Sequence, residues 1–281
     1  MIAMRVGLAQ YGATENKAAN LAQALDVAAE AGRRGVHLLV FPEVYMYRRP
    51  DDSTTPPAEV AEPLDGPFLS VVAEAARAQR MHIVMGIGER APGESYRAYN
   101  TAVLISPAGE RLAVYRKVHL YDAFNGRESE RIIPGDAPPP VVDTALGRIG
   151  LQICYDIRFP EWSRLLALAG AEYIVMPTSW VSGPLKEDHW ITLVRARAIE
   201  NTCWMIAADQ LRSDRVGRSL IVDPMGVVVA DGGEEPGLIV TDIDPDRVRR
   251  VRDKNPSLSH RRPELYGRVA EAPTHLVRTA L

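Results

Sequence analysis

The sequence predicts an α/β fold: one domain built on a mixed sheet, or on two sheets. Three observations predict it. Buried apolar runs of strand length alternate with stretches at helical spacing. Hairpin signals interrupt that alternation. No internal repeat and no low-complexity linker divides the 281 residues. A simple doubly wound sheet is the alternative, and the hairpins argue against it.

The elements follow in order. Arg5–Gln10 reads as a short buried strand. Glu15–Arg34 carries Leu21, Leu25, Ala28 and Ala29 at helical spacing and stops at Gly32 and Gly35. Val36–Phe41 is a continuous apolar run, the mark of a strand covered on both faces. A helix over Phe68–Arg80 leads into an apolar strand over Met81–Ile87. Tyr99–Ser106 and Arg111–Lys117 flank the turn Pro107-Ala108-Gly109-Glu110, a hairpin. Tyr121–Pro140 is irregular and rich in Gly, Pro and charge, and a loop that long in a compact domain is often functional.

The second half repeats the texture. Gly150–Cys154 is a strand, Pro160–Ala169 a helix and Tyr173–Met176 a strand. Glu187–Asn201 is helical and Cys203–Ala208 a strand. Ser219–Val222 and Val227–Ala230 form a second hairpin about Asp223-Pro224-Met225-Gly226, followed by a strand over Gly237–Ile243 and a short helix over Pro245–Arg252. The domain is expected over residues 1–256. Residues 257–281, broken by Pro263 and Pro273, are expected as an arm on the surface or on a partner subunit.

Composition excludes several functions. The net charge of -3 denies nucleic acid the basic surface it needs. No apolar run reaches membrane-spanning length, and Met1–Val6 has no charged segment followed by an apolar one, so a cytoplasmic protein is expected. Cys154 and Cys203 are too few for a structural zinc site, and His37, His82 and His189 have no metal-ligand spacing, so no metal is expected. Cys203, inside Cys203-Trp204-Met205-Ile206-Ala207, reads as core.

Three apolar strands end in reactive side chains: Glu43 after Phe41-Pro42, Lys117 after the first hairpin, and Cys154 ahead of a helix. Ligands of open α/β sheets bind outside such strand ends. A desolvated Glu is suited to general-base work, a Lys to holding an oxyanion and a Cys near a helix N-terminus to nucleophilic attack. Each has a plainer reading alone: an apolar plug, a loop carboxylate, an exposed cation. His119, two residues beyond Lys117, raises a Cys-His pair as a rival, with a structural histidine as the better expectation.

Together these segments resemble the nitrilase superfamily, the carbon–nitrogen hydrolases. The resemblance rests on Phe41-Pro42-Glu43, Tyr115-Arg116-Lys117-Val118-His119-Leu120 and Cys154-Tyr155-Asp156-Ile157-Arg158-Phe159-Pro160-Glu161. Met176-Pro177-Thr178-Ser179, His189-Trp190, Arg195–Asn201, Gly217-Arg218-Ser219 and Asp223–Gly226 follow in order, so it spans about residues 4 to 255. It implies a four-layer αββα sandwich that forms homodimers or larger homo-oligomers and needs no cofactor. It assigns Glu43 as general base, Lys117 as oxyanion stabiliser and Cys154 as nucleophile, with Glu128 as a second glutamate and Glu130 close by. The implied reaction cleaves a small-molecule amide through a Cys thioester, with the Tyr155 N–H as a second oxyanion donor.

The run Cys154-Tyr155-Asp156-Ile157-Arg158 resembles the amidase branch that includes omega-amidases and deaminated glutathione amidases. That branch implies that Arg158 and Thr178 contact a substrate carboxylate, whereas a salt bridge to Asp156, Glu161 or another local acid is the other reading of Arg158. The sequence departs from the branch at Ser179-Trp180-Val181-Ser182-Gly183, where Trp180 would reshape the pocket. Tyr45 and Tyr47 are expected to line it. An N-carbamoyl amidohydrolase, a nitrilase and an idle assembly module are the alternatives.

Overall fold

The computed structural model describes residues 3–50, 53–124 and 126–270. The chain opens with β1 (Met4–Gln10), α1 (Lys17–Arg33), β2 (Leu38–Val40), a single turn α2 (Pro57–Val60), α3 (Pro67–Gln79), β3 (His82–Arg90), β4 (Ala98–Ile105) and β5 (Arg111–Arg116). Then come β6 (Val141–Thr144), β7 (Gly147–Leu151), α4 (Pro160–Leu168), β8 (Tyr173–Thr178), α5 (Lys186–Asn201) and β9 (Trp204–Asp209). A two-stranded ribbon of β10 (Leu211–Arg212) and β11 (Arg215–Val216) precedes β12 (Leu220–Val222) and β13 (Val228–Asp231). The chain returns through β14 (Gly237–Ile243), α6 (Arg247–Lys254) and α7 (Pro263–Ala270).

The strands make two six-stranded mixed sheets, in the orders β14-β1-β2-β3-β4-β5 and β13-β12-β9-β8-β7-β6. Alternation along the strands explains why they stack. In β3, Val84 faces the apolar layer between the sheets, while Ile83, Met85 and Ile87 face a second layer under α1 and α3. In β2, Leu38 and Val40 face the first layer and Leu39 the second. Both faces are buried, as the continuous apolar runs predict. On the far side, α4 and α5 cover the second sheet with Leu166, Trp190, Val194 and Ala198. The molecule is thus the four-layer αββα sandwich.

Helix ends follow local chemistry. The Asn16 side chain accepts from the Ala19 N–H at 3.1 Å to start α1, and α3 and α4 begin with proline at the first turn, where no N–H is needed. The predicted strand Val36–Phe41 shortens to three paired residues, because only Leu38–Val40 has β1 on one side and β3 on the other. Three differences stand out. Cys154 lies beyond β7, in a 3-10 turn over Cys154–Arg158, rather than at a strand end. Val141–Thr144 forms an edge strand that follows the prolines of the irregular stretch. The expected arm contains α7, which uses Pro263 as a helix start; residues 271–281 of that arm lie outside the described residues.

Candidate active site

The cavity opens where β2, β5, β7, β8 and β9 end, at one edge of the sandwich. Its volume is about 550 Å³. Glu43, Lys117, Glu128 and Cys154 share its wall, with Tyr155 and Trp180 beside them. Glu43 stands in a tight turn after β2, followed by Val44 at φ +45°. The turn is pinned against its neighbours. The Tyr45 N–H donates to the Gly86 carbonyl at 2.8 Å, the Gln210 amide donates to the Glu43 carbonyl at 2.7 Å, and the Glu43 N–H reaches the Thr178 carbonyl at 3.3 Å.

Lys117 is only 2% exposed, and its ammonium donates to Glu43 Oε1 at 2.8 Å and to Glu128 Oε2 at 2.8 Å. Burial alone would discharge it, but the coulombic pull of Glu128 and then Glu43 outweighs burial and holds its pKa well above the ordinary lysine value. Asn100 on β4 spans both carboxylates, donating to Glu43 at 2.7 Å and to Glu128 at 3.1 Å. The Tyr121 N–H caps Glu128 at 2.7 Å. Of the two neighbouring glutamates, Glu128 reaches Lys117, whereas Glu130 pairs with Arg127 at the surface.

Cys154 has φ +43°, a conformation costly for a residue with a Cβ. Asp156 holds the turn. It is fully buried and accepts from the Ile153 N–H at 2.9 Å, from the Tyr115 hydroxyl at 2.7 Å and from the His119 side at 2.7 Å. Burial, reinforced by the charge of Glu43, pushes the Cys154 thiol well above its usual range, with Lys117 and a hydrogen bond from the Ser179 N–H opposing. Both shifts favour a neutral Cys154 thiol beside a charged Lys117 ammonium. His119 stacks on Phe159 at 3.8 Å and leans on Asp156, off the cavity wall, so it supports the turn.

Several expected binding residues sit elsewhere. The Tyr45 ring turns into the layer beneath α1, against Phe41 and Gln23, because the turn after Glu43 points residues 43 and 45 to opposite sides. Tyr47 does reach the wall. Thr178 is fully buried and bonds back to the Met176 carbonyl at 3.3 Å; its contribution is the main-chain carbonyl that holds Glu43. Arg158 makes no salt bridge to an acid among the described residues; Asp156 is engaged by Tyr115, His119 and Ile153. Its guanidinium lies 4.9 Å from the Trp180 ring and does not reach the wall.

Four contributors escaped sequence reading. Asn100 looks like any polar strand residue, although it sits on the same strand face as Ala98 and Ala102 toward the site. Gln210 and Asp209 end β9 just as Glu43 follows β2, a signal the strand-end rule could have used. Asp209, fully buried, accepts the Trp180 N–H at 2.7 Å, and burial raises its carboxyl well above the usual range. Lys186, one residue ahead of the helix expected over Glu187–Asn201, lines the cavity. Among the described residues, no group of three or more metal-binding side chains comes together, and no helix is long and apolar enough to cross a membrane.

An αββα sandwich with a buried thiol, an ammonium and two carboxylates around one cavity defines a small-molecule hydrolase. The chain belongs to the carbon-nitrogen hydrolase family, which it matches over residues 5–253. It is 38% identical over 259 residues to the deaminated glutathione amidase of Escherichia coli O157:H7, covering 92% of this chain and 97% of that relative. Identity to the deaminated glutathione amidase of Rattus norvegicus is 39% over 280 residues, 93% of this chain and 83% of the relative. Among solved structures, a mutant of the amidase from Nesterenkonia sp. AN1 is 29% identical with a TM-score of 0.78, covering 94% of this chain and 96% of that one; it shows covalent addition of the acetamide moiety of fluoroacetamide at its active site cysteine. The chain is accordingly an amidase, a hydrolase of amide carbon–nitrogen bonds that works through a cysteine.

Proposed function

We propose that this amidase hydrolyses the terminal amide of a small, carboxylate-bearing molecule, with Cys154 as nucleophile, Glu43 as general base and Lys117 as oxyanion stabiliser. The observation that carries the reading is the buried Glu43–Lys117–Glu128 cluster in the same wall as Cys154, inside a cavity rich in cations. Arg48, Arg49, Arg131, Arg212 and Arg215 surround it. A cationic cavity favours an anionic substrate, and the relatives' name, deaminated glutathione amidase, describes an amide that carries carboxylates.

The neutral thiol sets the order of events. Glu43 takes the Cys154 proton as sulfur attacks the amide carbon, so no free thiolate accumulates. Charge builds on the former carbonyl oxygen. Lys117 and the Tyr155 N–H, a first-turn amide with no partner inside its helix, receive it. Glu43 then protonates the leaving nitrogen, ammonia departs and a thioester remains on Cys154. Water, deprotonated by Glu43, releases the acid and restores the thiol. Glu128 and Asn100 keep Lys117 and Glu43 in register through both halves.

The same reading makes the chain a cytoplasmic homodimer. Two unpaired thiols suit a reducing compartment. Leu165 and Leu168 on α4 and Ile199 on α5 are exposed, and the Met225–Val227 turn adjoins Ile199 to extend that apolar face. Ammonia release from a panel of acidic amides, neutral amides, N-carbamoyl compounds and nitriles tests the substrate class. Acidic amides are expected to give the highest kcat/KM. Dominant turnover of a nitrile, or of a carbamoyl compound with release of carbon dioxide, would overturn it.

A further inference from the structure

We propose that Lys186 is the residue that selects the substrate, by binding the carboxylate of an acidic amide whose amide carbon lies at Cys154. This rests on the amidase reading above and adds to it the group that recognises the anion.

Lys186 is the first residue of α5, directly after Leu185 at φ +58°. A lysine there would normally extend into water. Here it is 5% exposed and part of the cavity wall. The Trp180 indole N–H donates to the Lys186 carbonyl at 2.7 Å and fixes the helix start, while Asp209 fixes the Trp180 main chain in turn. The ammonium is held in an aromatic cage. It stands 4.1 Å from the Phe124 ring centroid, 5.0 Å from that of Tyr121 and 5.3 Å from that of Trp180.

The cage solvates the charge poorly. Of three ammonium donors, one reaches the Tyr121 hydroxyl at 3.1 Å, and no carboxylate among the described residues lies in salt-bridge range. Most other cations of the wall are matched by a carboxylate: Lys117 with Glu43 and Glu128, Arg48 with Glu15, Arg127 with Glu130, and Arg212 and Arg215 with Asp214. Arg49 and Arg131 are half-exposed, and Arg49 donates to the carbonyls of Thr55, Pro50 and Ser53. Lys186 is different. It is also pressed by a like charge, since Arg158 shares the Trp180 ring and its buried Nε has no partner. Burial and Arg158 both lower the Lys186 pKa, so an anion that enters relieves a standing deficit.

Geometry then defines the ligand. Lys186 and Cys154 line the same cavity of about 550 Å³, so one small molecule can span the two. Its amide carbon meets Sγ and its carboxylate meets Nζ, with the aromatic rings gripping the chain between them. A point-charge ammonium with free donors suits a single carboxylate.

The test compares succinamic acid, a four-carbon acidic amide, with butyramide, its neutral counterpart, in wild type, Lys186→Met and Lys186→Arg. In wild type the acidic amide is expected to be preferred. Lys186→Met is expected to cut the ratio of the two kcat/KM values by about 100-fold, chiefly through KM, the worth of one charge-assisted hydrogen bond in a desolvated site. Lys186→Arg is expected to restore part of the preference. A preference that survives Lys186→Met, or parallel loss of both substrates, would overturn the assignment and leave the amidase reading intact. A wild type that prefers butyramide would instead sink the acidic-substrate reading itself.

Discussion

Gly86 offers a stringent check on how Glu43 is held. It lies in β3 under the turn that carries Glu43, and a Cβ there would stand 2.7 Å from Glu43 Cα and 2.8 Å from Val44 N, and closer still to the Pro42 carbonyl oxygen. All three are main-chain atoms, which cannot swing aside as a side-chain tip can. Ordinary contacts of this kind need about 3.5 Å, so Gly86→Ala must part strand and turn by roughly 1 Å. The Tyr45 N–H to Gly86 carbonyl bond ties the same two segments and would stretch with them. Overpacking of this sort costs about 1–3 kcal/mol of stability, and a misplacement of about 1 Å costs roughly 100-fold in rate. Two measurements read the result, kcat/KM by ammonia release and Tm by calorimetry. Gly88→Ala is the matched comparison, because a Cβ there has its nearest neighbours at 3.9 Å, and it is expected to fall far less. Full activity in Gly86→Ala would refute the argument that Glu43 is positioned by this close approach.

Three further outcomes follow from the same geometry. Glu128→Gln should lower kcat by about 10- to 100-fold, the value of one charged hydrogen bond on Lys117, with little change in fold; unchanged kcat would remove Glu128 from the machinery. Burial raises the Cys203 thiol to about 11 from 9.0, with Arg252 opposing. Its contribution to stability is therefore complete below pH 9 and fades as pH rises toward 11, by on the order of 2–3 kcal/mol, so Cys203→Ala should flatten stability against pH over that window, and an identical slope would contradict it. Leu165→Glu with Leu168→Glu should convert a dimer to a monomer in sedimentation, whereas an unaltered mass would place the interface elsewhere.

Much of this architecture was legible before any coordinates. Apolar runs marked β1, β3 and β8, and helical spacing marked α1, because both patterns follow from which faces are buried. The same logic brought Glu43, Lys117 and Cys154 to one edge. What stayed hidden depends on direction. No pattern in the chain says that Tyr45 turns beneath α1 while Glu43 faces the cavity, since a positive φ at Val44 breaks the alternation. Lys186 stands in the wall and Arg158 does not, because the fold, and not the motif, decides which cation reaches the cavity. Val141–Thr144 is not legible as a strand: three half-exposed residues and an exposed Asp143 after Pro138-Pro139-Pro140 carry too weak a signal. Asn100 was missed because bridging two carboxylates is a property of three segments at once.

In the proposed mechanism the Cys154 thiol, activated by Glu43, carries the reaction. The direct measurement is ammonia release from an acidic amide by wild type and by Cys154→Ala at equal protein concentration. Steady turnover is expected in wild type and loss of at least about 10⁴-fold in the variant, the scale on which removing a nucleophile acts. Turnover that survives in Cys154→Ala would contradict it.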